Sequence, residues 1–334
     1  MKKTLAILMV FCMCLLTACS TGNSNSSETN VTDSTTGAAN NGEKYTLKIA
    51  YQYGMAYAPL IVMQEQKLIE KYCDNVEVNW QVLNSGAAIN EGVIAGDIQV
   101  AYMGIAPFLT AVMKGTPYKL YSGLSGQPMG LSTNDANITS LADFTADDKI
   151  ALVNYGSIQH IMLAMAAEKE LGDAHALDEN IMAMAHPDGM QALISNSVKG
   201  HLTTAPYFLQ ELEDDQFSEI TSVRETFPED CTIIIGAAAN DLYENHREVY
   251  DALVSATNEA MDYINNNLED TAEMIYENEG VSKEVMLEYM KADGVIYTNK
   301  ATGLMEIADF MKRAEFIEEA PAAFSDISFE GVQQ

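Results

Sequence analysis

Short apolar runs alternate with helix-length segments along this chain, and the alternation runs once, pauses, and starts again. "TLKIAYQYG" (46–54) is a β-rich run, and a helical pattern follows it from Pro59 to Tyr72. "VEVNWQVL" (76–83), "IQVAYMG" (98–104) and "YKLYSGL" (118–124) are further strands, separated by helical segments over 86–97 and 106–115. Strands that alternate with helices form βαβ units and a mostly parallel sheet. After a connection at about 125–140 the pattern resumes with "KIALVNY", a helix over 157–171, "NIMAMA", a short helix and "KGHLTTA". The apolar strand "TIIIGAAA" (232–239) then leads into acidic amphipathic helices from about Glu244 onward. The order predicts two α/β lobes built in sequence, joined by crossovers near 125–131 and 229–237.

Four strand-to-helix corners share one oddity. "AYQYGMAYAPLIVM" (50–63), "VAYMGIAPFLTAVM" (100–113), "ALVNYGSIQHIMLAMAA" (151–167) and "HLTTAPYFLQ" (201–210) hold no Asp, Glu, Lys or Arg. The chain has 48 acidic residues and a formal net charge of −30. Corners at the carboxyl ends of strands are where ligands sit in α/β sheets. Helix N-termini there present unpaired N–H groups and partial positive charge. Glycines allow close backbone approach, and tyrosines add aromatic walls with hydrogen-bonding tips. The corners read as walls of one cleft, although buried parallel strands are apolar in any case.

The acidic field argues against nucleic-acid binding and against lying flat on an anionic membrane. At the N-terminus, Lys2 and Lys3 precede "LAILMVFCMCLL", and Leu16-Thr17-Ala18-Cys19 closes the run. This predicts a signal peptide over 1–18, with a Cys19 that resembles a bacterial lipidation site. The Ser-, Thr-, Asn- and Gly-rich segment 20–44 reads as a tether, so 19–44 is expected to hold a globular body at a membrane's outer face. Two cysteines remain in the body, Cys73 and Cys231; one disulfide between them is possible outside the cell, but their spacing matches no framework and two buried thiols are expected.

From about residue 46 to 327 the sequence resembles the nitrate/sulfonate/taurine-type substrate-binding proteins of ABC importers, which share a fold with thiamine-pyrimidine synthases. The likeness rests on "LKIAYQYGMAYAPLIVMQEQKLIEKY", on "LNSGAAINEGVIAGDIQVAYMGIAPFLTAVMKGTPYKL", on Gly156-Ser157-x-x-His160, and on the helices "NDLYENHREVYDALVSATNEAMDYINNN" and "GLMEIADFMKRAEFI". It implies a two-lobed periplasmic-binding-protein fold of type II, with two crossovers and a cleft that closes on a small solute. Lobe 1 would comprise 45–128 and 235–334, and lobe 2 would comprise 129–234. An ABC permease and its ATPase would be partners of a monomer that needs no cofactor.

Candidate ligand contacts are Gln52, Tyr53, Tyr57, Gly86, Met103, Gly104, Ile105, Tyr155, Gly156, Ser157, His160, Thr204 and Tyr207. Ser157 would cap a helix or meet a ligand acceptor, and His160 would touch the ligand or lock its corner. The chain's arginines, Arg224, Arg247 and Arg313, lie outside the neutral corners, so a doubly charged anion is disfavoured. A monoanion and a neutral planar ring both remain open, and Glu225 could meet a basic nitrogen. A scaffold or adhesion lipoprotein is the alternative, and a pyrimidine-synthase-like enzyme a further one. Enzyme chemistry is disfavoured because the five histidines show no metal-ligand spacing, and no Gly-x-Ser-x-Gly elbow or phosphate loop is present. His186, before Pro187, reads as a solvent-facing loop residue, and the acidic face of 269–288 as solvated helix surface.

Overall fold

The structure, a computed structural model, describes residues 44–228 and 231–334. The expected signal peptide, Cys19 and nearly all of the tether therefore lie outside the described residues. The strands are β1 (Tyr45–Tyr51), β2 (Val76–Val82), β3 (Val100–Gly104), β4 (Tyr118–Gly126), β5 (Met129–Thr133), β6 (Ile150–Leu152), β7 (Ile181–Ala183), β8 (Gly200–Thr204), β9 (Ser218–Glu219), β10 (Ile234–Ala239) and β11 (Ile296–Tyr297). They form two sheets, ordered β11-β4-β10-β3-β1-β2 and β7-β6-β8-β5-β9.

Each sheet is mixed, and the antiparallel strands β10 and β5 mark where the chain changes sheet. β1 pairs parallel with β2 and β3, while β10 runs antiparallel between β3 and β4, with Ile234 opposite Gly104. The chain leaves the first sheet at Gly126, at the carboxyl end of β4, and re-enters beside the same end. A strand that enters there can only run back down the sheet. β5 begins on the near side of the second sheet for the same reason and pairs antiparallel with β8.

Side chains explain the composition of the strands. In β10, a Cβ on Gly236 would stand 2.6 Å from the Tyr121 ring and 2.8 Å from Tyr102. Those buried tyrosines hydrogen-bond one another across it, and Tyr121 reaches Thr257 Oγ1 at 3.0 Å. The helix Arg247–Asn266 buries Val249, Leu253, Ala256, Ala260 and Ile264, spaced by three and four, against the first sheet's helices. Cys73 and Cys231 are both buried and unpaired. Among the described residues no helix is long and apolar enough to cross a membrane.

Two expectations fail. Residues 129–133 lie within the stretch read as a connection, yet they form β5, hydrogen-bonded on both edges. Gly130 signals a turn in sequence, but here it makes room for a ring: a Cβ would fall 2.2 Å from Phe208. The single helix expected over 59–72 is two, Ala58–Glu65 and Leu68–Tyr72, separated by a left-handed Lys67 at φ 49°.

Candidate functional site

The carboxyl ends of β1, β3, β6 and β8 face one another between the sheets. From the first sheet come Gln52 and Tyr53 after β1, Gly104 at the end of β3, and Gly86 at the start of the helix Gly86–Ile94. From the second come Asn154, Ser157 and Gln159 after β6, His186 at the start of the helix His186–Ile194, and Thr204 at the end of β8. Together they enclose a cavity of about 30 Å³, room for about two water molecules. No Asp, Glu, Lys or Arg lines it.

Four helices of nine residues or more begin at its edge: Gly86–Ile94, Ile105–Met113, Ile158–Leu171 and His186–Ile194. Ser157 caps the third, its Oγ accepting from His160 N–H at 3.2 Å. The amides of Ile158 and Gln159 in that first turn have no intrahelical acceptor, so they are free for a ligand. Space is tight: a Cβ on Gly86 would stand 2.6 Å from Pro107, and one on Gly104 would stand 3.3 Å from Ile158 of the other lobe.

Of the residues singled out in sequence, Gln52, Tyr53, Tyr57, Gly86, Gly104, Ser157 and Thr204 line the cavity. Met103 and Ile105 are fully buried behind the wall. Tyr155 turns outward, 54% exposed, and donates to the Asp178 carbonyl at 3.1 Å. Gly156 and His160 serve the corner itself. The Gly156 N–H donates to His160 Nδ1 at 2.9 Å, which leaves the ring proton on Nε2, bonded to Asp178 Oδ1 at 2.9 Å. Burial holds the His160 pKa below its ordinary value, against the pull of Asp178. His160 is thus a corner lock, with both nitrogens occupied. Tyr207 stacks on His186 with ring centroids 5.9 Å apart and does not line the cavity.

Sequence reasoning missed Asn154, Gln159 and His186. His186 is not a solvent-facing loop residue: it opens a helix whose first turn carries Pro187, a standard helix-start signal, and it is buried. Its Nδ1 meets Thr203 Oγ1 at 2.7 Å. Burial pushes its pKa down to about 3, so the ring is neutral and offers one uncharged polar nitrogen. The unfolded chain would bind a proton at this residue near its ordinary value of 6.5. Between these values the unfolded state holds more protons, so stability falls as pH drops from about 6.5 towards 3. Denaturant titrations at several pH values should show this acid-side slope reduced in His186→Gln; an unchanged slope would remove His186 as its cause.

A second cavity, of about 190 Å³, shares Gln52, Tyr53 and Tyr57 as a common wall with the first. Its far side includes Glu279, on the helix Leu268–Glu279. The expectation of a wholly solvated acidic face over 269–288 fails here. Glu279 turns inward, and burial pushes its carboxyl up to about 7, opposed by the Tyr207 hydroxyl and the Gly54 amide. Glu225, by contrast, is exposed and lines neither cavity. Among the described residues no cluster of three or more His, Cys, Asp or Glu is placed to hold a metal ion.

Residues 40–276 match the model of the NMT1-like family. Solved structures share the fold at low identity. A ligand-binding component of an ABC-type import system from Staphylococcus aureus superposes with a TM-score of 0.69 at 16% identity, covering 86% of this chain and 98% of its own. The aliphatic sulphonate-binding protein SsuA from Escherichia coli gives 0.63 at 17%, covering 86% and 93%. The nitrate-binding protein NrtA from Synechocystis PCC 6803 gives 0.58 at 18%, covering 74% and 70%. No match was found among curated proteins.

Proposed function

The chain belongs to the NMT1-like family, and from that premise we propose that it is the solute-binding component of an ABC importer, closing two lobes on a small oxyanion or oxyanion head group. One observation carries this reading: the uncharged cavity receives walls from both lobes and lies at the starts of four helices. Amides at helix N-termini hold an anion without a cationic partner. A singly charged group suits them, because no Lys or Arg stands by to neutralise a second charge. Similarity to sulphonate- and nitrate-binding proteins supports the same class. Any solute larger than about two water molecules, a planar heteroaromatic ring above all, requires the cavity of about 30 Å³ to open wider.

The proposal assigns the protein capture and delivery rather than catalysis, with a permease and ATPase as partners. The moving units are 45–128 with 235–334, and 129–234, in a monomer. The test is thermal unfolding of the purified protein against methanesulfonate, taurine, nitrate, bicarbonate, a thiamine pyrimidine and sulfate. A solute at about 100 times its Kd adds about 2.7 kcal/mol. The reading expects a singly charged oxyanion to stabilise and sulfate not to; stabilisation by the pyrimidine alone would replace it, and silence across the panel would favour a scaffold role.

We further propose that residues 1–18 are removed and that Cys19 carries a lipid outside the bacterial cytoplasmic membrane, on the strength of Leu16-Thr17-Ala18-Cys19 and the polar segment after it. Cys19→Ser should move the protein from the membrane fraction to the soluble one. Undiminished membrane association would refute the lipid.

A further inference from the structure

The second cavity is not explained by capture of an oxyanion between lobes, because all its lining residues lie in segments that carry the first sheet. At about 190 Å³ it holds one small organic molecule, below the roughly 300–1,000 Å³ of pockets for drug-sized ligands. Its walls combine Tyr51, Tyr53 and Tyr57 with Ile61 and Val82, and its one acid is Glu279. The Tyr207 hydroxyl and the Gly54 amide act on the Glu279 carboxyl, but its Oε2 is buried and has no hydrogen-bond partner. A buried carboxyl oxygen without a donor is costly, and a ligand that met it with an N–H, as the side chain turned towards the cavity, would recover that cost. Tyrosine faces attract cations as well. No Lys or Arg lines the cavity to compete.

We propose that this cavity is a second binding site, for a small organic cation whose N–H donates to Glu279 while its carbon body lies against the tyrosines. The site goes beyond the oxyanion reading and does not rest on it. Since Gln52, Tyr53 and Tyr57 also wall the interlobe cavity, an occupant here bears on the geometry of both.

The chain has one tryptophan, Trp80, whose ring stands edge-on to Tyr51 at 6.2 Å. Its fluorescence therefore reports on this cavity. Benzylamine, titrated into the full chain in the absence of any candidate oxyanion, should change that signal saturably. Benzyl alcohol, its neutral analogue, should bind at least tenfold more weakly. Glu279→Gln keeps the shape and should abolish the preference for the amine, and Tyr53→Leu, at a half-exposed position, should weaken amine binding in a chain whose cores are untouched. Equal binding of amine and alcohol, no saturable response, or an amine preference that survives Glu279→Gln would each overturn the proposal. Because no oxyanion is present, failure of the importer reading leaves this result interpretable.

Discussion

Gly104→Leu should reduce affinity for the captured solute by about 100-fold or more, about 2.7 kcal/mol, while leaving the folded protein intact. Gly104 has φ −60° and ψ 151°, an extended conformation open to any residue. Space alone excludes a side chain there. A Cβ would stand 3.3 Å from Ile158 Cγ2, on the opposite lobe, and 3.7 Å from Pro107. The added atoms would therefore meet the facing lobe first and hold the cleft open. Open lobes cannot bring Ser157, Gln159 and His186 to the same ligand as Gln52 and Gly86. Gly104→Ala, needing only a few tenths of an ångström, should lose much less. Calorimetric titration of the solute found by thermal shift, alongside unfolding midpoints, checks both. Full affinity in Gly104→Leu would show that lobe closure at this point is not needed for capture.

Glu211→Ala should cost about 1–3 kcal/mol of stability, the range for leaving a buried polar group without its hydrogen-bond partner. His201 Nδ1 and Glu211 Oε1 are 2.5 Å apart, with side chains 1% and 0% exposed. Neither His201 Nε2 nor Glu211 Oε2 has a partner, and Gly189 is packed onto the ring so closely that a Cβ would stand 2.4 Å from Nε2. Nothing is placed to satisfy the imidazole once the carboxylate is gone. Replacing both residues by apolar ones of similar volume should recover most of the loss, since the surroundings lack other polar partners. Denaturant unfolding measures it; a loss under 1 kcal/mol would mean that the pair contributes little. His201 also stands 6.2 Å, ring to ring, from His186, so the same pair supports the floor of the interlobe cavity.

The rhythm of strands and helices was legible because strands buried on both faces are largely apolar along their length, as in β3. The neutral corners were legible for the same physical reason that makes them a cavity: charge beside a desolvated ligand is costly unless paired. Which corner residues turn inward was not legible. Tyr155 and Ser157 are two positions apart, yet one points to solvent and the other to the cavity. The difference is made by the bonds from Gly156 to His160 and from His160 to Asp178, a partner 18 residues further along. β5 was hidden because Gly130 answers to Phe208, far away in sequence. Glu279 was hidden because the helix around it is acidic and exposed, and periodicity does not mark which acid meets a neighbouring tyrosine. His186 carries a usable signal in Pro187, which suits the first turn of a helix as well as a loop.

In the proposed function one small oxyanion is held by both lobes at once. A crystal structure with the stabilising solute bound tests it most directly. The ligand's oxygens should lie within hydrogen-bond distance of the Ile158 or Gln159 amide or of His186 on one lobe, and of Gln52 or the Gly86–Ile94 helix start on the other. A solute bound by one lobe alone, or outside the cavity these residues enclose, would contradict it.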